Sequence, residues 1–169
     1  MVEMEFARLL KHAFTTRRSV KRHFTDACLA AIAAAIREAE AAHSGEIRFA
    51  VEAALEPSQV MRGMTPRERA LEVFSLLRVW DTERNNGVLI YLLHADHAVE
   101  IVADRGIHAK SSGGQVWQRI VGDMQSALGR GEFQAGALQG IRAVGEELRR
   151  HFPVQGDNPN ELPNEVRLL

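Results

Sequence analysis

The sequence predicts a mixed α/β fold in which a small sheet is covered on both faces by helices. Three observations predict it. Val88 to Leu93 is an apolar run suited to a strand buried on both faces, while Val99, Ile101 and Ala103 alternate with Glu100, Val102 and Asp104 as in a strand nearer an edge. The link His94-Ala95-Asp96-His97 is short, so these two strands are antiparallel. Upstream, a strand, a capped helix and the strand opening at Gly87 follow in the order of a right-handed crossover between parallel neighbours.

The first helix is expected over Glu3 to Phe14, where Phe6, Leu9, Leu10, Ala13 and Phe14 gather on one face and Arg8, Lys11 and His12 lie outside it. A basic connection follows with Arg17, Arg18, Lys21, Arg22 and His23. Residues 1–23 therefore read either as a helix packed on the domain with a solvated charged link, or as an amphipathic anchor for a protein partner or an anionic membrane surface. Thr25 is an N-cap for a helix from Asp26 to about Ala42 built on Leu29, Ile32, Ala33 and Ile36, with Gly45 as its stop. Glu46 to Ala54 reads as a strand with Ile47, Phe49 and Val51 on one face and Glu46, Arg48 and Ala50 on the other. Thr65-Pro66-Arg67-Glu68 supplies a cap, a first-turn proline and a capping-box glutamate for a helix running to about Trp80.

Beyond the hairpin, two helices are expected at Gly114 to Leu128 and Phe133 to His151, separated by Gly129-Arg130-Gly131. Trp80 and Trp117 sit on apolar stripes and are expected in the core or at an interface. From Pro153 the composition turns to Pro, Asn, Glu and Gly, so 153–169 is expected to be an extended or disordered tail after a domain spanning 24–152.

Composition narrows the function classes. A chain of 169 residues with 46% apolar content can bury one core, and 21 Lys and Arg against 22 Asp and Glu lack the signature of a general nucleic-acid binder. The longest apolar stretch, Cys28 to Ile36, falls far short of the roughly 20 residues that span a bilayer, and Glu3 and Glu5 ahead of Phe6 do not make a signal peptide. The chain is expected to be cytoplasmic, peripheral to the inner membrane if residues 1–23 bind one. Cys28, the single cysteine, reads as a buried inert thiol.

In order along the chain, Phe24-Thr25-Asp26 through Ala54, then Trp80 before Asn85-Asn86-Gly87-Val88-Leu89, then Arg105-Gly106-Ile107-His108, then Gly131-Glu132-Phe133-Gln134-Ala135-Gly136 resemble the TPM domain, a family of thylakoid-lumen phosphatase-like, photosystem-repair and bacterial membrane-associated proteins. About 130 residues are covered. The resemblance implies a three-layer α/β/α sandwich with a small mixed sheet and, for some members, Ca²⁺ or Mg²⁺ binding and acid phosphatase activity. This chain departs at the acids: it has Asn85 where the family commonly has Asp, and His108 where it has Glu. Hard cations want several anionic oxygens, and an amide offers one neutral carbonyl. The family's metal site is thus expected to be weakened or absent, with Asp104 the remaining candidate ligand and Asp81 and Glu83 close in sequence.

The hairpin brings Asn85 and Asn86 to the same end of the sheet as Asp104, Arg105 and His108. There Arg105, His108 and Lys110 lead through Ser111-Ser112-Gly113-Gly114 into a helix start, an arrangement suited either to a small anion or to an ordinary solvated cap. The expected ligand-binding residues are Asn85, Asn86, Asp104, Arg105, His108 and Lys110. His94, Asp96 and His97 offer imidazole and carboxylate groups but not the further ligands of a zinc site, and read as a polar turn. The function expected is a non-enzymatic TPM-like binding or accessory module in membrane- or envelope-linked assembly, the alternative being a divalent-metal-dependent acid phosphatase.

Overall fold

The computed structural model describes residues 2–108, 110 and 114–169, with the backbone alone for residues 2–5. Its elements are α1 (Val2–Phe14), α2 (Arg17–His23), α3 (Asp26–Glu40), β1 (Glu46–Glu52), α4 (Pro57–Met61), α5 (Pro66–Leu76), β2 (Gly87–Leu93), β3 (Ala98–Ala103), α6 (Arg105–His108), α7 (Gln115–Gly129), α8 (Phe133–His151) and β4 (Arg167–Leu168). One four-stranded sheet runs in the order β3-β2-β1-β4. The central pair β1 and β2 is parallel, with Ile47 beside Val88, and β3 returns antiparallel with Ile90 beside Ile101. The apolar run of β2 is buried throughout and β3 lies at an edge, as the hydrophobic pattern predicts.

Two cores make the sandwich. On one face Phe49, Val51, Ile90 and Ile101 pack with Ile32 and Ile36 of α3, Trp117 and Met124 of α7, and Ile141 and Leu148 of α8. On the other, Leu89, Tyr91 and Val102 pack with Val60 of α4 and Ala70 and Val73 of α5. Thr25 caps α3 by accepting from the Cys28 N–H, and Thr65 and Glu68 close the expected capping box. The helices expected after the hairpin match α7 and α8, with a one-residue difference at each end of α7.

Three local expectations need correction. The helix α5 stops at Leu76, because the chain turns through Arg78 in a left-handed conformation (φ 53°). Trp80 therefore lies outside the helix and is 49% exposed, with the Arg78 guanidinium 5.9 Å from its ring centroid. The basic link is itself helical: α2 buries Val20 and turns Arg17, Arg18, Lys21 and Arg22 outward. Glu46 and Arg48, which alternation places on the face opposite Ile47, Phe49 and Val51, are both buried.

The last 17 residues explain that burial. They run back along β1, where β4 adds a parallel strand beside Ala50 and Val51. Arg48 donates to the carbonyl oxygens of Pro163 and Glu165, Glu46 accepts from the Leu162 N–H at 3.1 Å, and Leu162 enters the second core. Backbone groups of the tail thus meet Glu46 and the Arg48 Nη1 on this face of β1, whereas Arg48 Nε is buried without a partner.

Candidate functional site

The end of the sheet carrying the N-terminus of β2 is built from backbone pairings that a few side chains lock. The Asn86 side chain donates to the Ser44 carbonyl at 2.6 Å, and its backbone N–H is held by Thr82 Oγ1 at 3.1 Å. With the Glu46 N–H on its own carbonyl, Asn86 staples the starts of β1 and β2 together. Asp104 ends β3, and its Oδ1 accepts from the Arg105 N–H at 2.6 Å where α6 begins. Gly106 then approaches Asn85 so closely that its N–H donates to the Asn85 carbonyl at 3.1 Å, and a Cβ there would stand 2.5 Å from that oxygen.

These contacts bring four of the six expected residues, Asn85, Asn86, Asp104 and Arg105, to one end, as the hairpin implied. Arg105 reaches across to Asn85 Oδ1 with Nε and Nη2 at 3.3 and 3.2 Å. The other two diverge, because α6 turns the chain: His108 lines a cleft of about 500 Å³ beside Arg67, Glu100 and Trp117, whereas Lys110 faces a separate cleft of about 330 Å³ with Ser44, Arg84, Gly106 and His151. The Lys110 ammonium lies 4.3 Å from the Phe152 ring centroid. The Ser111-Ser112-Gly113 part of the expected anion loop, like Ala109, lies outside the described residues.

Sequence reasoning missed Arg84 and His151. Arg84 adjoins the Asn-Asn-Gly motif and could have been included on that ground, but no local signal places His151 there. Only the return of α8 brings it. Its Nε2 lies 3.0 Å from Glu147 Oε1. The smaller cleft thus carries two cationic side chains, Arg84 and Lys110, and no Asp or Glu among its described lining residues.

A hard cation fits this end poorly. Asp104 Oδ2 and Asn86 Oδ1 are buried without hydrogen-bond partners, but Asp104 Oδ1 is engaged by backbone and Asn85 Oδ1 by the Arg105 guanidinium. Among the described residues no group of three or more His, Cys, Asp or Glu could hold a metal ion, whereas Ca²⁺ takes about six to eight oxygens.

The turn expected at His94 to His97 forms, with His97 left-handed at φ 51°. Its Asp96 pairs with α1. Arg8 Nη2 donates to Asp96 Oδ2 at 2.8 Å and to the Met64 carbonyl at 2.8 Å. His12 Nδ1 accepts from the Leu55 N–H at 2.9 Å, so its proton sits on Nε2 and is donated to Asp96 Oδ1 at 3.0 Å. Burial works to raise the Asp96 carboxyl, but these hydrogen bonds outweigh it and hold it below the ordinary range. His94 is held down to about 4 by burial, with His23, His97 and Lys11 adding repulsion.

Three comparisons bear on this arrangement. The family model of the TPM domain matches residues 21–147. The NMR structure of the BA42 protein from the psychrophilic bacterium Bizionia argentinensis is similar with a TM-score of 0.75 and 33% identity, covering 86% of this chain and 94% of that one. The N-terminal domain of a protein from P. gingivalis shares the fold at a TM-score of 0.59 and 20% identity, over 78% of this chain and 82% of that one. No protein of curated function matches.

Proposed function

Because the chain belongs to the TPM domain family, we propose that it serves as a non-enzymatic binding module whose cleft between Arg84, Lys110 and His151 takes a small oxyanion, a phosphate or a carboxylate. The observation that carries this reading is the charge of that cleft: Arg84 and Lys110 face it and no acid lines it among the described residues. An oxyanion there gains charge-assisted hydrogen bonds worth about 1.5–3 kcal/mol each, less where water competes. Arg105 supports the same reading by placing a guanidinium on Asn85 Oδ1, so that a cation of the chain occupies an oxygen a metal would need. Asn85, Asn86 and Asp104 are then positioning residues that hold the loop bearing Arg84 against α6.

The competing reading is a divalent-metal-dependent phosphatase, and the orphaned oxygens Asp104 Oδ2 and Asn86 Oδ1 favour it. Calorimetric titration with inorganic phosphate and with acetate separates the two, alongside hydrolysis of a generic phosphomonoester with and without Ca²⁺ or Mg²⁺. The binding module shows anion binding that weakens at least tenfold in Arg84→Ala and Lys110→Ala, and no metal-stimulated turnover. Turnover that needs metal and disappears in Asp104→Ala overturns it in favour of the phosphatase.

A further inference from the structure

A helix that packs on a domain ordinarily turns its apolar stripe inward. The helix α1 does the reverse. At about 100° per residue, Phe6, Leu10 and Phe14 share an arc of about 80°, and Arg8 and His12 lie on the opposite side. Arg8 and His12 face the domain, held to Asp96, Met64 and Leu55 by the hydrogen bonds described above, and of the apolar stripe Leu9 packs against the second core beside them. Phe6, Leu10 and Phe14 are left 61%, 42% and 81% exposed. Polar contacts thus fix the orientation of the helix and present the apolar stripe to the outside.

What lies beside that stripe identifies its occupant. From Phe6 to Thr25 the sequence holds six Lys and Arg residues and no Asp or Glu. Lys11 is exposed on α1, and burial of Val20 turns Arg17, Arg18, Lys21 and Arg22 outward on α2, only two residues after Phe14 leaves off. Among the described residues none of these five is in an ion pair. The one Lys or Arg of the segment that is paired, Arg8, is the one that holds the helix, together with His12. Aromatic and aliphatic side chains flanked by cations that have no ion-pair partner among the described residues match an interface with apolar chains below and anionic headgroups above.

We propose that α1 and α2 form a docking surface for an anionic lipid bilayer, in which Phe6, Leu10 and Phe14 enter the headgroup boundary and Arg17, Arg18, Lys21 and Arg22 engage the lipid charges. No helix among the described residues is long and apolar enough to cross a membrane, and the proposed contact lies in the plane of the headgroups. Its energy combines modest apolar burial with charge, and is therefore sensitive to salt. A second copy of this chain suits the surface less well, because its own α2 would bring the same positive charge to the interface.

The test is sedimentation of the full chain with vesicles of phosphatidylcholine, with and without phosphatidylserine, at low and high salt, with light scattering of the free protein. Binding is expected only with phosphatidylserine and is expected to fall with salt. Each basic side chain near such a surface is worth roughly fivefold in partitioning, so Arg17→Glu/Lys21→Glu/Arg22→Glu is expected to lose about a hundredfold or more. Phe6→Ser/Phe14→Ser is expected to lose at least tenfold, while Leu76→Ser, which removes an exposed leucine on α5, retains binding. Circular dichroism checks that all three variants keep their fold. Equal binding to both vesicles, no binding to either, or a dimer that Phe6→Ser/Phe14→Ser dissociates overturns the proposal. None of these outcomes involves the Arg84 and Lys110 cleft, so the two readings fail separately.

Discussion

Replacing Glu40 by Gln should stabilise the protein at neutral pH and leave it nearly unchanged in acid. Glu40 ends α3 beneath the start of β1, where one carboxylate oxygen accepts from the Ile47 N–H at 2.8 Å and the other from the Asn164 side chain. Burial pushes its carboxyl from 4.5 up to about 7; the Ile47 hydrogen bond opposes this, Glu46 adds to it, and Asn164 and Arg48 restrain it. At about 1.4 kcal/mol per pH unit, the charged form is about 3 kcal/mol less favourable in the folded chain than in the unfolded one. Between pH 4.5 and about 7 the folded chain keeps a proton that the unfolded chain releases, so this group's contribution to stability falls as pH rises. His43 and His94 work in the opposite sense. Burial holds both down to about 4 from 6.5, so their contribution is present above 6.5 and is lost as pH falls. The wild-type pH profile mixes these trends, and the difference between Glu40→Gln and wild type isolates Glu40.

A glutamine is neutral throughout. It keeps the acceptor for Ile47, and a flip of the Asn164 amide restores the second hydrogen bond. Urea unfolding should therefore give curves that agree within about 1 kcal/mol near pH 4.5 and a variant about 3 kcal/mol more stable near pH 8. With a urea slope of roughly 2 kcal/mol per molar, that is a midpoint shift of about 1.5 M. A difference that stays flat across this pH range, or a variant less stable than wild type near pH 8, would refute the reasoning.

Three further outcomes follow from named contacts. Arg69 makes a two-pronged pair with Glu52 at 2.9 and 2.8 Å, while Tyr91 donates to the same carboxylate at 2.6 Å; Arg69→Met strands a buried charge and should cost about 3–5 kcal/mol in urea unfolding. A Cβ at Gly87 would overlap the carbonyl oxygen of Val79, so Gly87→Ala should lower stability by about 3 kcal/mol or more; a loss under about 1 kcal/mol means that the loop before β2 yields easily. Asp96→Ala removes the acceptor for both Arg8 and His12, and should speed amide exchange across α1 by at least tenfold while β1 and β2 stay protected. Exchange that rises equally in β1 and β2 would show that α1 does not open by itself.

The sheet and its helices were legible because their signals are local. The continuous apolar run of β2, the alternation in β3, Thr25 before α3 and the Thr65 to Glu68 box each specify conformation within a few residues. The candidate site was half legible. Hairpin pairing has a fixed geometry, so Asn85 and Arg105 could be placed together from the turn alone, and they are hydrogen bonded. The divergence of His108 from Lys110 could not be foreseen, because it depends on one turn of helix, α6, with no periodic pattern to announce it. The residues of the basic cleft come from four distant segments, of which Lys110 and Arg84, beside the Asn-Asn-Gly motif, carried a local signal and His151 none.

By itself the sequence determined the antiparallel hairpin, the parallel crossover and the capped helices, because hydrophobic period, turn length and capping chemistry act over neighbours in the chain; the family came from the resemblance of its motifs. Only the tertiary structure decided which faces are wet. Arg48 and Glu46 alternate as a solvated face would, yet the tail covers them, since buried polar groups are tolerated wherever backbone partners arrive. Phe6, Leu10 and Phe14 pattern as a core stripe, yet they point outward, since the Asp96 pairing with Arg8 and His12 turns α1 the other way. Periodicity reports that a helix has two unlike faces; which of them meets the domain depends on what the rest of the chain brings opposite.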